Sequence, residues 1–102
     1  MDINRVLLSG RLCSDPGPGN FVLVSNGLRW TGKDGLTHKT TCYIDVQVKG
    51  KLANQCSALK KTDAVYVEGI LMQNPETKGH WIRAEKVSFM KELANADNSR
   101  QK

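Results

Sequence analysis

No apolar run in this chain of 102 residues approaches the length of a membrane span, and its first residues, MDINRV, supply neither the basic nor the apolar stretch of a secretion signal. The chain is therefore expected to stay in the cytoplasm, where it is made. No C-x-x-C spacing occurs. The three cysteines, Cys13, Cys42 and Cys56, form an odd set without metal-ligand spacing, so three free thiols in a reducing compartment are expected. Cys42 and Cys56 fall on apolar faces, where a free cysteine acts as a small hydrophobe. His38 and His80 lie in loop or strand-edge positions far from any such spacing and read as solvated. There is no Walker loop, no G-x-S-x-G and no Cys/His constellation, and no paired carboxylates sit in an apolar setting. Asp45 and Glu68, on the polar parities of their strands, read as two solvated acids. These absences argue against catalysis and leave no metal or cofactor to expect.

What is present is a small basic globular domain. Hydrophobic residues make up 39% and charged residues 25%, the balance of a folded chain. The net charge is +5 and the isoelectric point about 9.3, which fits nucleic-acid binding without requiring it. The stretch Thr41 to Leu71 organises the rest. In TTCYIDVQVKG, Cys42, Ile44, Val46 and Val48 alternate with Tyr43, Asp45, Gln47 and Lys49, so a strand with one buried and one wet face is expected, ended by Gly50. KLANQCSAL places Leu52, Cys56 and Leu59 on one face of a short helix. A polar break, Lys60 to Asp63, precedes a further strand in AVYVEGIL.

Upstream, Ile3 to Leu12 reads as a first strand, with Gly10 marking a bulge or a bend at a barrel corner. SDPGPGN is turn chemistry. Asn20 to Ser25 forms a second strand, Asn26-Gly27 carries the dipeptide of a tight hairpin turn, and Leu28 to Thr31 resumes an extended path. GKDGLTHK is a polar loop. Downstream, MQNPETKG is a connecting loop and His80 to Met90 a last strand. Its apolar parity slips between Ala84 and Val87, which predicts a bulge near Glu85–Lys86. Residues 91–102 are polar and read as a flexible tail. The expected architecture is all-β: a five-stranded OB-fold barrel over residues 1–90, with one short helix between strands 3 and 4. Such barrels bind oligonucleotides across strands 2 and 3.

On that surface Tyr43, Gln47 and Lys49 share one face of a strand, with Trp30 just upstream on its neighbour. Arg29, Lys33, Lys39, Lys49 and Lys51 add cations against Asp34 and Asp45. Aromatics interleaved with cations on one face suit a single strand, because stacking on a ring contributes about 1–3 kcal/mol per base and tolerates any sequence. Trp30 has a second reading as a barrel cap or subunit contact. Trp81 has the parity of Arg83 and Glu85, opposite to Ile82, and reads equally as a DNA contact or as core or interface. The first strand carries apolar residues on both faces, Ile3 and Leu7 on one and Val6, Leu8 and Leu12 on the other. Self-association through edge-to-edge pairing of this strand is expected.

INRVLLSGRLCSDP resembles the opening of bacterial-type single-stranded DNA-binding proteins. VKGKLANQCSALKKTDAVYVEGIL is similar to that family's Gly-Lys-Leu-Ala helix, basic turn and V-Y-V/I-E-G strand, and the resemblance spans roughly residues 3 to 90. It implies that the family's stacking aromatics fall on Trp30 and on Tyr43, the latter in place of a tryptophan, with a basic neighbour near Arg29 or Lys33. Three departures stand out. Lys49 occupies the place of a stacking phenylalanine, Asp45 that of a basic residue, and the loop between strands 4 and 5 is short and lacks a tryptophan. Residues 91–102 carry no acidic tail with a hydrophobic tip, as in plasmid, phage or organelle versions and in the tail-less primosomal replication-restart protein. The resemblance implies a sequence-tolerant single-stranded DNA-binding protein of replication, recombination or repair, nucleoid-associated if bacterial. It further implies a tetramer of two dimers and possible contacts with replication or repair proteins. The alternative is a dimeric primosome-type adaptor.

Overall fold

The computed structural model describes residues 2–90; the tail expected over 91–102 lies outside the described residues. Five strands and one helix follow in the order β1 (Val6–Leu12), β2 (Asn20–Thr31), β3 (Thr37–Gln47), α1 (Gly50–Cys56), β4 (Ala64–Gln73) and β5 (His80–Phe89). The strands close into a barrel in the order β1-β2-β3-β5-β4. All neighbours are antiparallel except β3 and β5, which run parallel and bring the middle of the chain beside its last strand. This is the OB-fold.

Strand alternation decides what fills the barrel. Phe21 and Leu23 on β2, Val46 on β3, Val65 and Val67 on β4 and Ile82 on β5 all point inward and are buried. Leu12 closes one side, while Val48, Cys56 and Leu59 plug the end where α1 sits. Leu52 and Ala53 of α1 pack against this cluster. The helix ends one turn earlier than its apolar spacing suggests: Ser57 follows it as C-cap, and Leu59 reaches the core from the turn beyond. Gly50 has φ 60° and opens the helix, so the reversal after β3 is taken by a residue in the left-handed region that glycine tolerates.

Gly10 lies where β1 passes between β4 and β2, opposite Val65. A Cβ there would run into the backbone carbonyl of Val24, so close approach of β2 explains the glycine, and the β1–β4 register runs through it without a bulge. The bulge near Glu85 is also present. Glu68 pairs with Lys86 and Gly69 with Ala84, so Glu85 is the extra residue that lets Ile82 and Val87 both face inward.

Other expectations are corrected. β1 begins at Val6 rather than Ile3, which is 92% exposed. β4 runs on through Met72 and Gln73, because both find partners on β5, Trp81 and His80. Asn26-Gly27 is no hairpin turn. β2 continues unbroken to Thr31, and the reversal falls at Gly32–Leu36, where Gly35 has φ 78° and its N–H donates to the Gly32 carbonyl at 3.0 Å. Asn26-Gly27 instead forms a bulge: Asn26 pairs with Thr41 and Arg29 with Lys39, three steps on β2 against two on β3. Thr41 Oγ1 donates to Asn26 Oδ1 at 3.0 Å, and the Leu28 N–H donates to Thr40 Oγ1 at 3.0 Å, holding the bulge from across the ribbon. Cys42 is exposed rather than buried, because this part of the β2–β3 ribbon extends past the core.

Candidate nucleic-acid interface

Residues paired across a ladder share a face, so the register identifies the outer surface. Tyr43 pairs with Val24, Asp45 with Val22 and Gln47 with Asn20. On the other side of β3, Asp45 lies beside Trp81 and Gln47 beside Arg83. Their alternates Ile44, Val46 and Ile82 belong to the core or pack on it. One surface of β2, β3 and β5 therefore carries Tyr43, Gln47 and Trp81 together. Tyr43 is 66% exposed, so most of its ring faces outward. Trp81 is half-buried. Arg83 joins them, although its charge within an apolar-looking strand gave little reason to single it out beyond the parity it shares with Trp81.

Further up the ribbon, Lys39 lies on the Tyr43 side of β3, and its partner Arg29 shares that side. Trp30 does not. It pairs with His38, whose parity is that of Ile44 and Val46. The bulge is the cause: without the extra residue on β2, Trp30 would face Thr37 and lie on the same side as Tyr43. Trp30 instead stacks on the His38 imidazole, with ring centroids 5.4 Å apart and planes at 26°. His38 Nε2 in turn lies 3.3 Å from the Asp34 carboxylate, whose Oδ1 also accepts the Leu36 N–H at 2.9 Å. Trp30 remains half exposed, a second aromatic platform on the opposite side of the ribbon.

Lys49, two residues beyond the end of β3, is extended (φ −133°, ψ 157°) at the N-cap of α1. Lys33 sits in the hairpin loop at the ribbon tip. Lys51 lies on α1, off the β2–β3–β5 surface. Among the described residues, no carboxylate comes within ion-pair distance of Arg29, Lys33, Lys39, Lys49 or Lys51. The pairs that do form involve Arg5, whose Nη2 meets Glu68 Oε1 at 2.7 Å, and His38. The hydrogen bond and charge of Glu68 hold the Arg5 guanidinium even more firmly protonated. Glu68 thus belongs to a surface pair on β4 and does not approach Asp45 as a second acid.

A polar cleft opens beside Trp81, between β3 and the β4–β5 loop, with Asn20, Asp45, Gln47, Asn74 and His80 on its walls. The loop is held by its own hydrogen bonds. Asn74 Oδ1 accepts the N–H groups of Glu76 (2.9 Å) and Thr77 (3.2 Å), and the Asn74 N–H donates to the Gly79 carbonyl at 2.8 Å. Lys78 completes the turn with φ 65°. Sequence reasoning missed Asn20, Asn74 and His80, since Asn20 and His80 begin their strands and Asn74 lies in a loop, where periodicity does not yet point to a surface. Among the described residues, no group of three His, Cys, Asp or Glu is arranged to hold a metal, and no helix is long and apolar enough to cross a membrane.

The OB barrel thus presents exposed aromatics, cations without an acidic partner among the described residues, and an amide-lined cleft on its β2–β3–β5 side. No protein-family model and no curated protein matches the chain. Solved structures do. The small single-stranded DNA-binding protein of Streptomyces coelicolor is 21% identical, with a TM-score of 0.70, covering 87% of this chain and 95% of that one. The Plasmodium falciparum SSB in complex with ssDNA is 18% identical, with a TM-score of 0.71, covering 87% and 96%. The second single-stranded DNA-binding protein of Mycobacterium smegmatis is 23% identical, with a TM-score of 0.70, covering 88% and 91%. The structural neighbours of this barrel are thus single-stranded DNA-binding proteins, and at these identities the likeness establishes the shared fold.

Proposed function

We propose that this chain binds single-stranded DNA with little regard for sequence and coats strands exposed in replication, recombination or repair. The observation that carries the reading is the outer β2–β3–β5 surface. It combines an exposed Tyr43 with Trp81 and with cations that no acid neutralises among the described residues. Bases stack on Tyr43 and Trp81, and on Trp30 where a strand wraps the ribbon. Arg29, Lys33, Lys39, Lys49 and Arg83 meet phosphates, Lys51 on α1 joins them only where the strand runs on past the end of β3, and Gln47 offers a hydrogen bond to base or sugar. Every base has a π-face and every nucleotide a phosphate, so such a surface grips any sequence. That the neighbours in fold are single-stranded DNA-binding proteins, one of them bound to ssDNA, supports the same reading. Titration with poly(dT), followed by tryptophan fluorescence and with duplex as control, tests it. Saturable quenching by poly(dT) alone is expected, and no response to poly(dT) would overturn it.

The reading includes a homo-oligomer, a tetramer of two dimers with a dimer as the alternative. β1 pairs along its length with β4, but with β2 only at Arg11 and Leu12, leaving the backbone edge at Val6–Ser9 open beside Leu7, which is 59% exposed. An open edge with an exposed leucine favours pairing with a second copy. A monomeric mass by light scattering at micromolar concentration would sink this part. Replication or repair proteins would then meet the chain on DNA, at the nucleoid in a bacterial host.

A further inference from the structure

We propose that the cleft beside Trp81 is a subsite for one guanine base, selected by the carboxylate of Asp45. The inference rests on the reading that this surface binds single-stranded DNA, and it adds a bias at one position of an otherwise tolerant face.

Asp45 is the anomaly of that face. It is exposed, it lies directly beside Trp81 in the parallel β3–β5 register, and it lines the cleft. Among the described residues no cation and no hydrogen-bond donor engages it. A free negative charge on a surface that holds phosphates weakens binding to any backbone, so it is useful there only if a base supplies donors to it. An ionised carboxylate accepts hydrogen bonds and gives none, and its two oxygens take two parallel donors best.

Guanine meets that demand. Its Watson–Crick edge presents N1–H and the N2 amino group side by side, two donors spaced for two oxygens of one carboxylate. Adenine sets its N6 amino group beside the N1 acceptor, and cytosine its N4 amino group beside the N3 acceptor. Thymine has one N3–H between two carbonyls. With each of those three bases, a carboxylate oxygen faces an acceptor. Reading the Watson–Crick edge of an unpaired base in this way is open to any protein that holds a single strand.

The rest of the cleft suits a purine. Trp81 offers a ring for stacking beside the carboxylate. Asn74 has committed its Oδ1 to the N–H groups of Glu76 and Thr77, which orients the amide and leaves Nδ2 as a donor with no acceptor among the described residues. An amide donor in the same cleft suits guanine O6. Asn20 and Gln47 add further amides on the same wall.

The test uses dT oligonucleotides of one length that carry a single dG, dA or dC, alongside the all-dT strand, with affinities from anisotropy of a labelled end. One guanine per strand prevents four-stranded structures. The dG strand is expected to bind about five- to ten-fold tighter than the others, the low end for a good base-edge contact. In Asp45→Asn, an amide N–H replaces one acceptor, so the guanine preference disappears while the all-dT strand binds more tightly. Asp45 is exposed and unpartnered, so this variant should melt as the parent does. Equal affinity of the parent for all four strands would overturn the proposal, as would a dG preference that survives in Asp45→Asn. Failure to bind any strand would refute the proposed function itself, a result distinguishable from loss of the preference alone.

Discussion

Replacing Tyr43 by alanine is the sharpest perturbation of the proposed surface. The residue is 66% exposed, so about a third of its area packs against the sheet. A large aromatic side chain buries roughly 200 Å² when fully interior, so truncation exposes on the order of 70 Å² here. At about 25 cal/mol per Å² this costs about 2 kcal/mol of stability. Small domains have roughly 5–15 kcal/mol in hand, and the melting temperature should fall by about 10 °C while the variant stays folded at 25 °C. Binding should suffer separately. Loss of one stacking platform removes about 1–3 kcal/mol, roughly five- to 150-fold in affinity for poly(dT). The slope of log K against log salt should not change, since no phosphate contact is lost. Tyr43→Phe keeps the ring and should bind as the parent. Isothermal titration at several salt concentrations, with circular dichroism to verify folding, measures all of this. If folded Tyr43→Ala binds poly(dT) as the parent does, DNA does not cross this sheet, and the adaptor reading takes the lead.

Lys49→Ala should cost less than Tyr43→Ala but make the salt slope shallower by about 0.7, the single-strand value for one phosphate contact; an unchanged slope would remove Lys49 from the interface. Trp81→Phe should abolish most DNA-induced fluorescence quenching, because Trp81 shares the Tyr43 face, while Trp30→Ala should remove the smaller part that comes from strand wrapped around the ribbon; quenching that survives Trp81→Phe unchanged would move the strand off this face. Gly10→Ala should destabilise the barrel by about 1–3 kcal/mol in denaturant unfolding, since the new methyl meets the Val24 backbone rather than a side chain that can turn away. A thiol reagent at neutral pH should label Cys13 and Cys42 and spare Cys56 until the protein unfolds, because burial pushes the Cys56 thiol up. The unfolded chain then ionises this thiol first, so the Cys56 contribution is intact below the ordinary thiol range and is lost as pH rises through it.

Much of the fold is legible where burial on one side imposes a period. β3 from Ile44 to Gln47 alternates because its inner face fills the barrel, and the slip between Ala84 and Val87 announced the bulge at Glu85. What local pattern could not show is where a strand finds its partner. Met72 and Gln73 look like loop residues beside Pro75, yet Trp81 and His80 hold them in the ladder. Cys42 continues an apolar parity, but core lies beneath it only if the ribbon ends sooner than it does.

The candidate site depends still more on pairing between distant segments. Asp45 and Trp81 become neighbours only because β3 and β5 lie side by side in parallel, a relation no spacing within either strand reveals. The aromatic pair expected on one face is split by a single residue. Asn26-Gly27 has the chemistry of a tight turn, but Thr40 and Thr41 lie opposite and bond to Asn26 and to the Leu28 amide, so the chain bulges and runs on. One added residue reverses every side chain beyond it. Trp30 is thereby carried to His38, and Trp81 takes the place beside Tyr43 and Gln47 on the outer face. The acid that seemed only to repel a phosphate backbone then stands next to an aromatic ring, where a stacked base would bring its edge. If single-stranded DNA crosses this surface as proposed, its rings and cations would hold any strand, and the identity of the base would be felt at the one position beside Asp45.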